Sequence, residues 1–284
     1  MKMEKLKEKV AIITGGSRGI GKGITNVFLL EGARVIIAAR SKSKIKETIE
    51  NLRYKGEIIG VVTDVSDETQ VKRLINKTME SFGNIDILIN AAGVQAPIGP
   101  LIDINVQEWV KNIRINLIGT MLCCKTVLPI MIKKRKGKII NFSGGGATSP
   151  RPYFSAYAVS KVGVVKLTEI LAQEVKEYGI DVNAIAPGVV NTRMLDEIIQ
   201  AKEKAGSKEA REAIMRKKKG ATLPEVAGEL AVFLASEESN GLTGRLISAV
   251  WDDWKDVNFK NMLMKDYDWG TLRRIDRRNF ERIK

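Results

Sequence analysis

Along this chain, short runs of aliphatic and β-branched residues alternate with longer stretches whose apolar positions recur every three or four residues. The short runs at 10–14, 34–39, 57–63, 85–90, 138–142, 181–186 and 245–250 predict seven strands. The longer stretches predict helices from the glycine turn after Thr14 to about Glu31, over 105–114, over 116–134, and from Tyr157 to about Tyr178. More helix is expected within 193–219 and over 224–235, where Pro224 suits a first helical turn. In the helix that starts at Tyr157, Val162, Val165, Leu167 and Leu171 take the buried positions. Strands alternating with helices predict an α/β fold, a three-layer doubly wound parallel sheet covered on both faces. With no repeat, low-complexity tract or linker, residues 1–250 read as one domain. The helices at 193–219 follow a strand's carboxyl end, where an insertion tends to cover a ligand crevice. Residues 251–284 read as an extension, rich in Trp, Asp and Arg, without a clear period.

Composition narrows the chemistry more than the fold. Apolar residues make up 44% and charged residues 28%, the balance of a soluble globular protein. No apolar run approaches the ~20 residues that cross a bilayer, and MKMEKLKEKV enters the first strand without a signal peptide's apolar core. A cytoplasmic protein with no membrane partner is the expectation. The chain has no histidine, so proton transfer must use Tyr, Lys, Asp or Glu, and every histidine metal site is excluded. Cys123 and Cys124 are adjacent in an apolar helix, a poor geometry for pairing with each other. The net charge of +14 comes from lysines and arginines interleaved with acids along solvated helix faces. That pattern favours an acidic partner or anionic substrate over nucleic acid.

The candidate chemistry lies where the strands end. The first strand runs into Thr14-Gly15-Gly16-Ser17-Arg18-Gly19-Ile20-Gly21 and then a helix, an order that lets backbone approach a pyrophosphate at a helix N-terminus. The second ends in Ala39-Arg40, without the acid that would hold a ribose 2′-hydroxyl. Arg40 and Arg18 are instead suited to a 2′-phosphate, which favours NADP(H) over NAD(H). Asp64-Val65 closes the third strand. The fourth ends in Asn90-Ala91-Ala92-Gly93, small enough for the chain to pass under a flat ring. Asn116 is a polar residue in an apolar helix, and burial would force it to find partners. In NFSGGGATSPRPYFSAYAVSK (141–161), Tyr157 and Lys161 share a helix face. A neighbouring ammonium favours a phenolate, so this pair is a candidate to exchange a proton with a substrate oxygen. Arg151 beside that loop, with the Trp and Asp residues of the tail, hints at a polar substrate such as a sugar derivative.

Together, these landmarks resemble the short-chain dehydrogenase/reductase family over about residues 6–250. The resemblance implies a Rossmann-type domain, usually a homotetramer or homodimer. It also implies reversible hydride transfer between NAD(P)(H) and a small-molecule carbonyl or secondary alcohol. By that resemblance Tyr157 is the proton donor and acceptor, Lys161 lowers its pKa and holds the nicotinamide ribose, and Asn116 positions a water in the proton relay. The cofactor lies along Gly15, Ser17, Arg18, Gly19, Ile20 and Gly21, with Arg40 at the 2′-position and Asp64 and Val65 at the adenine. Asn90, Ala91 and Gly93 lie beside it. Pro187, Gly188, Val190 and Thr192 lead to the nicotinamide carboxamide.

Two departures stand out. The family's substrate-binding serine, thirteen residues before the tyrosine, is Gly144 here, and Ser143 stands one place early. Flexible glycines leave Ser143 or a backbone N–H as the replacement donor. The tail replaces a glycine-rich end with Ala249-Val250-Trp251-Asp252-Asp253-Trp254, whose tryptophans call for burial somewhere. Two alternatives go with these features: an acyl-carrier reductase, favoured by the basic surface, and a non-catalytic NADP(H)-binding sensor, favoured by the displaced serine.

Overall fold

The computed structural model describes residues 4–266 and 268–274. Seven parallel strands form one sheet in the order β3-β2-β1-β4-β5-β6-β7. They are β1 (Val10–Thr14), β2 (Arg34–Ala39), β3 (Ile58–Val62), β4 (Ile87–Asn90), β5 (Gly137–Phe142), β6 (Ile180–Ala186) and β7 (Leu246–Ser248). The order reverses between β1 and β4, and in such a sheet ligands bind outside the carboxyl ends at that switch point.

Side chains alternate along each strand, and both faces are buried. Ala11, Ile13, Val35, Ile37, Ile87 and Ile89 pack with α1 (Gly19–Leu30), α2 (Lys42–Leu52) and α9 (Pro224–Ala235). Ile12, Ile36, Leu88 and Ile139 point the other way, toward α3 (Glu68–Phe82), α5 (Gly119–Lys134) and α6 (Ser155–Glu174). Helices α2 and α3 fill segments that the periodicity left unassigned. Their starts are nonetheless capped, by Ser41 on the Lys44 N–H and by Asp67 on Thr69 and Gln70, and Gly83 (φ +69°) ends α3.

Helix α4 (Val106–Ile113) does not stop before α5 but runs into it through a wide π-turn at Arg114–Ile118. The stretch Val106–Lys134 has the length and apolarity of a membrane span, contrary to the sequence expectation, but half of its most apolar part is buried in the protein. Its apolarity is that of a core helix, with Leu122, Cys123, Cys124, Val127 and Met131 under the sheet. Burial pushes the Cys124 thiol up to about 12, and Cys123 upward as well, so both are inert.

Three other expectations need correction. In α6, Val165 is buried and Leu167 and Leu171 partly so, but Val162 is exposed; the inward stripe runs through Tyr157, Lys161, Val164, Thr168 and Ala172. Strand β7 ends at Ser248 because its hydroxyl accepts the Val250 and Trp251 N–H groups and turns the chain. The tail is not aperiodic throughout: α10 (Val257–Lys265) forms after an Asp256 cap, and the buried Arg245 guanidinium binds its last turn at Leu263 O and Asp266 O. Of the tail tryptophans, Trp254 packs on Phe233 of α9, whereas Trp251 is 84% exposed and Trp269 about half exposed.

Candidate active site

The glycine turn after β1 is built for close backbone approach. Gly15 has φ +70°, and a Cβ there would stand 3.0 Å from the Ala91 and Ala92 backbone. A Cβ on Gly21 would stand 2.3 Å from the Gly15 carbonyl oxygen, so only glycine lets α1 start this close to the turn. Helix α1 has no side-chain cap and no acid in its first turn, leaving its N-terminal amides to an anion. Ser17 is buried, and its carbonyl accepts the Thr48 hydroxyl; Ile20 lines the cleft. Arg18 and Arg40 are exposed, and neither guanidinium makes a hydrogen bond or ion pair among the described residues. Asp64 turns its carboxylate to the Ser66 N–H and hydroxyl, and Val65 packs against Gly119. The residues present therefore fit a dinucleotide whose pyrophosphate lies over the glycine turn.

At the end of β4, Ala91 to Gly93 pass beneath this turn, and Thr14 Oγ1 accepts the Ala92 N–H. Asn90 points down instead of toward the cleft: its amide donates to Asn141 Oδ1 and lies 3.4 Å from Cys124 Sγ. Asn116 sits fully buried in the π-turn and finds the partners its burial requires. Its Oδ1 accepts the Val94 N–H at 2.8 Å, and its Nδ2 lies 2.8, 2.9 and 3.0 Å from Val94 O, Asn112 Oδ1 and Ser160 Oγ. Ser160 in turn donates to Tyr157 O, tying Asn116 to the helix that carries the tyrosine. A Cβ on Gly93 would stand 3.2 Å from Asn116 Oδ1 and 3.7 Å from Lys161 Nζ, so these three meet at one point.

Tyr157 and Lys161 lie side by side on the first turns of α6, both buried, with Lys161 Nζ 5.7 Å from the tyrosine ring centre. Lys161 donates to Phe142 O at 2.8 Å, and burial brings its ammonium down to about 8. Burial raises the Tyr157 phenol, and the charge acting against that rise is Arg151, whose guanidinium lies 5.8 Å from the ring centre. The sequence expectation gave that role to Lys161, whose buried ammonium lies at about the same distance from the ring as the Arg151 guanidinium.

The Gly144-Gly145-Gly146 turn lies against this pair. A Cβ on Gly144 would stand 2.2 Å from the Tyr157 hydroxyl, so no side chain fits at that position as the tyrosine now stands. Ser143 does not line the cleft; its hydroxyl is enclosed and has no hydrogen-bond partner among the described residues.

Helices α7 (Arg193–Ala201) and α8 (Ser207–Lys219) occupy the segment 193–219 and line one side of the cleft. Leu195, Ile198 and Ala213 close on Phe154 and Tyr157 in a small apolar cluster, and Lys217 of α8 pairs with Asp196 of α7. The chain enters α7 through Pro187, Gly188, Val190 and Thr192, all lining the cleft. Thr192 Cγ2 lies 3.1 Å from where a Gly19 Cβ would be, so the first and last segments predicted to touch the cofactor stand next to each other. The resulting cleft holds about 620 Å³. Sequence reasoning did not single out Gln95, Glu209 or Arg216 in its wall, nor place Trp251 and Asp252 at this cleft. The only signal for Glu209 was its position in the covering insertion, because it reaches Arg151 across 58 residues of sequence.

Comparison with known proteins agrees with this geometry. The profile described as "short chain dehydrogenase" matches residues 9–203. An uncharacterized oxidoreductase, YxbG, of Bacillus subtilis (strain 168) is 36% identical over 87% of this chain and 91% of its own length. The 3-oxoacyl-[acyl-carrier-protein] reductase FabG of Thermotoga maritima is 35% identical over 86% of this chain and 96% of its own. Among solved structures, levodione reductase superposes with a TM-score of 0.79 at 30% identity, covering 86% of this chain and 96% of its own. With a seven-stranded parallel sheet of the Rossmann type and these relatives, the chain belongs to the short-chain dehydrogenase/reductase family and is an NAD(P)-dependent oxidoreductase.

Proposed function

We propose that the protein interconverts a carbonyl and a secondary alcohol, with NADP(H) preferred and with Tyr157 giving and taking the proton at the substrate oxygen. The observation that carries this reading is the buried Tyr157–Lys161 pair, whose tyrosine lines a 620 Å³ cleft beside the Gly144–Gly146 turn. When bound, the nicotinamide cofactor supplies or accepts the hydride. The chain's own work is geometry and proton. The amides of the Gly15–Gly21 turn bind the pyrophosphate, and Arg18 and Arg40 meet the 2′-phosphate. Lys161 holds the ribose and keeps a positive charge near the phenol. Helices α7 and α8 exclude water from the reacting centre, which strengthens every polar contact inside.

Among the substrates this reading admits, an acyl thioester has specific support. The FabG relative is named for such a substrate, and Arg216, in the basic last turn of α8, lines the cleft. The functional reading also carries a soluble, cytoplasmic homo-oligomer that binds neither membrane nor nucleic acid. The decisive experiment follows NADPH and NADH oxidation with ketones, keto-sugars and acyl thioesters, for wild type and Tyr157→Phe. The variant is expected to bind NADPH as wild type does and to lose turnover. Unchanged turnover in Tyr157→Phe would end the assignment, and tight NADPH binding with no turnover of any carbonyl would favour a nucleotide sensor.

A further inference from the structure

We propose that Arg151 is the hydrogen-bond donor to the substrate's carbonyl oxygen in this chain, filling the place left empty by Gly144, and that Glu209 of α8 holds it there. The inference rests on the carbonyl-reductase reading above and deepens it at the reacting atom.

The two obvious donors are out of position. Gly144 has no side chain and no room for one, with the Tyr157 hydroxyl 2.2 Å from where its Cβ would be. Ser143 is the nearest hydroxyl in sequence, but it is enclosed and is not part of the cleft lining. Arg151 does line the cleft, and its guanidinium is held on two sides. Nε and Nη2 both donate to Glu209 Oε1, at 3.2 and 2.5 Å, and the plane lies 3.9 Å from the Phe154 ring centre. Nη1 has no hydrogen-bond partner among the described residues, and it lies 3.5 Å from where a Gly145 Cβ would be. The one uncommitted end of the fork is thus directed at the glycine turn beside the tyrosine.

The chemistry suits the task. As hydride reaches the carbonyl carbon, negative charge develops on the oxygen, and a charge-assisted N–H at that point is worth more than a neutral hydroxyl. Glu209 offsets the positive charge when the oxygen is still neutral, so the site does not demand an anionic substrate. Because Glu209 belongs to the covering helix, placing the donor and covering the cleft become one event. A short-lived gain at the transition state is what raises kcat.

The test compares wild type, Arg151→Gln, Arg151→Lys and Glu209→Gln as NADPH-loaded enzymes on one reducible carbonyl. Arg151→Gln is expected to lose roughly 100-fold in kcat, with NADPH affinity unchanged. Arg151→Lys should recover part of that loss as a point charge without the fork, and Glu209→Gln should lose less than Arg151→Gln. Adding Gly144→Ser to Arg151→Gln should restore nothing, because the hydroxyl has no room. Two readouts separate a donor from a merely structural residue. The limb of the kcat–pH profile that belongs to Tyr157 should move to higher pH in Arg151→Gln. So should the phenol's ultraviolet titration, taken as a difference against Tyr157→Phe. An active wild type whose kcat and phenol titration are untouched by Arg151→Gln would overturn the inference alone, as would loss of turnover only on Thr148→Ala or Ser149→Ala, the two hydroxyl residues beside Arg151 in the cleft lining. A wild type that binds NADPH and reduces no carbonyl would overturn the functional reading, and this inference with it.

Discussion

Two glycine-rich turns leave the carboxyl ends of the sheet, one after β1 and one after β5, and they use glycine for different reasons. In the first, Gly15 and Gly21 make way for backbone, while Gly16 and Gly19 make way for the Ile37 and Thr192 side chains. Gly15 stands against the Ala91–Ala92 backbone and Gly21 against the Gly15 carbonyl. In the second, the glycines make way for side chains: the Tyr157 hydroxyl at Gly144 and the Ala158 methyl at Gly146, which also has φ +94°. Backbone cannot rotate out of the way, whereas side chains are where chemistry is placed. The first turn therefore follows the family pattern closely, and the second is where this chain departs from it.

Alanine substitutions should separate the two. Gly21→Ala puts a Cβ 2.3 Å from a carbonyl oxygen that only a shift of the turn can relieve. Alanine's better helix propensity returns about 1 kcal/mol at most, against an overpacking cost of about 3 kcal/mol at a site that cannot relax. The variant is expected to melt well below wild type and to lose NADPH binding, read by thermal denaturation and cofactor fluorescence. An unshifted melting curve would mean that the turn is softer than its geometry implies. Gly144→Ala meets a phenol instead. Its expected outcome is turnover reduced by about 100-fold, the scale of a misplaced catalytic group, while cofactor binding persists. Equal loss of binding in both variants would erase the distinction between the turns.

The same contrast accounts for what the sequence made legible. All seven strands were visible because runs of β-branched residues buried on both faces carry their own signal, and the first turn was visible because backbone constraints leave glycines at fixed spacing. Tyr157 and Lys161 were visible because helical spacing alone puts them on one face. Val162 misled because a hydrophobic residue at helical spacing says nothing about which neighbour arrives to cover it. Helix α10 was missed because its stop depends on Arg245, a residue in the last strand that reaches its final carbonyls. Arg151–Glu209 was beyond reach for the same reason: an ion pair between distant segments leaves no local period. Ser143 was favoured by its nearness in sequence, but its hydroxyl is enclosed and does not reach the lining of the cleft.

Lys161 gives a prediction about pH at the second turn. Burial lowers its folded-state value from 10.5 to about 8, so the unfolded chain binds more protons than the folded one between those values. Stability must rise with pH across that window and is lowest, on this account, below about pH 8. The full difference corresponds to roughly 3 kcal/mol, reduced in practice by the Phe142 carbonyl that the ammonium satisfies. Lys161→Met is therefore expected to be catalytically inactive and to lack this rise. The gap between the two stability curves, measured by urea unfolding from pH 7 to pH 10, should narrow or change sign as wild type gains. Parallel curves would mean that the ammonium is solvated in solution.

The smallest expected effect returns to the first turn, at its solvent edge. Arg40 follows a second strand that ends in Ala39 and has no acid to hold a ribose 2′-hydroxyl, and it stands exposed without an ion pair among the described residues. A guanidinium–phosphate contact contributes about 1.5–3 kcal/mol when shielded, and solvent exposure brings it to the lower end or below. Arg40→Ala should therefore weaken NADPH binding by about tenfold at low ionic strength and leave NADH binding unchanged. The penalty should shrink as salt screens the remaining charge of Arg18. Arg40→Asp should go further, because a carboxylate repels a 2′-phosphate and accepts a 2′-hydroxyl. If both variants still prefer NADPH to the wild-type extent, the phosphate is held elsewhere. The exposed edge of the first turn would then share with the second the property of acting through side chains that arrive from distant segments.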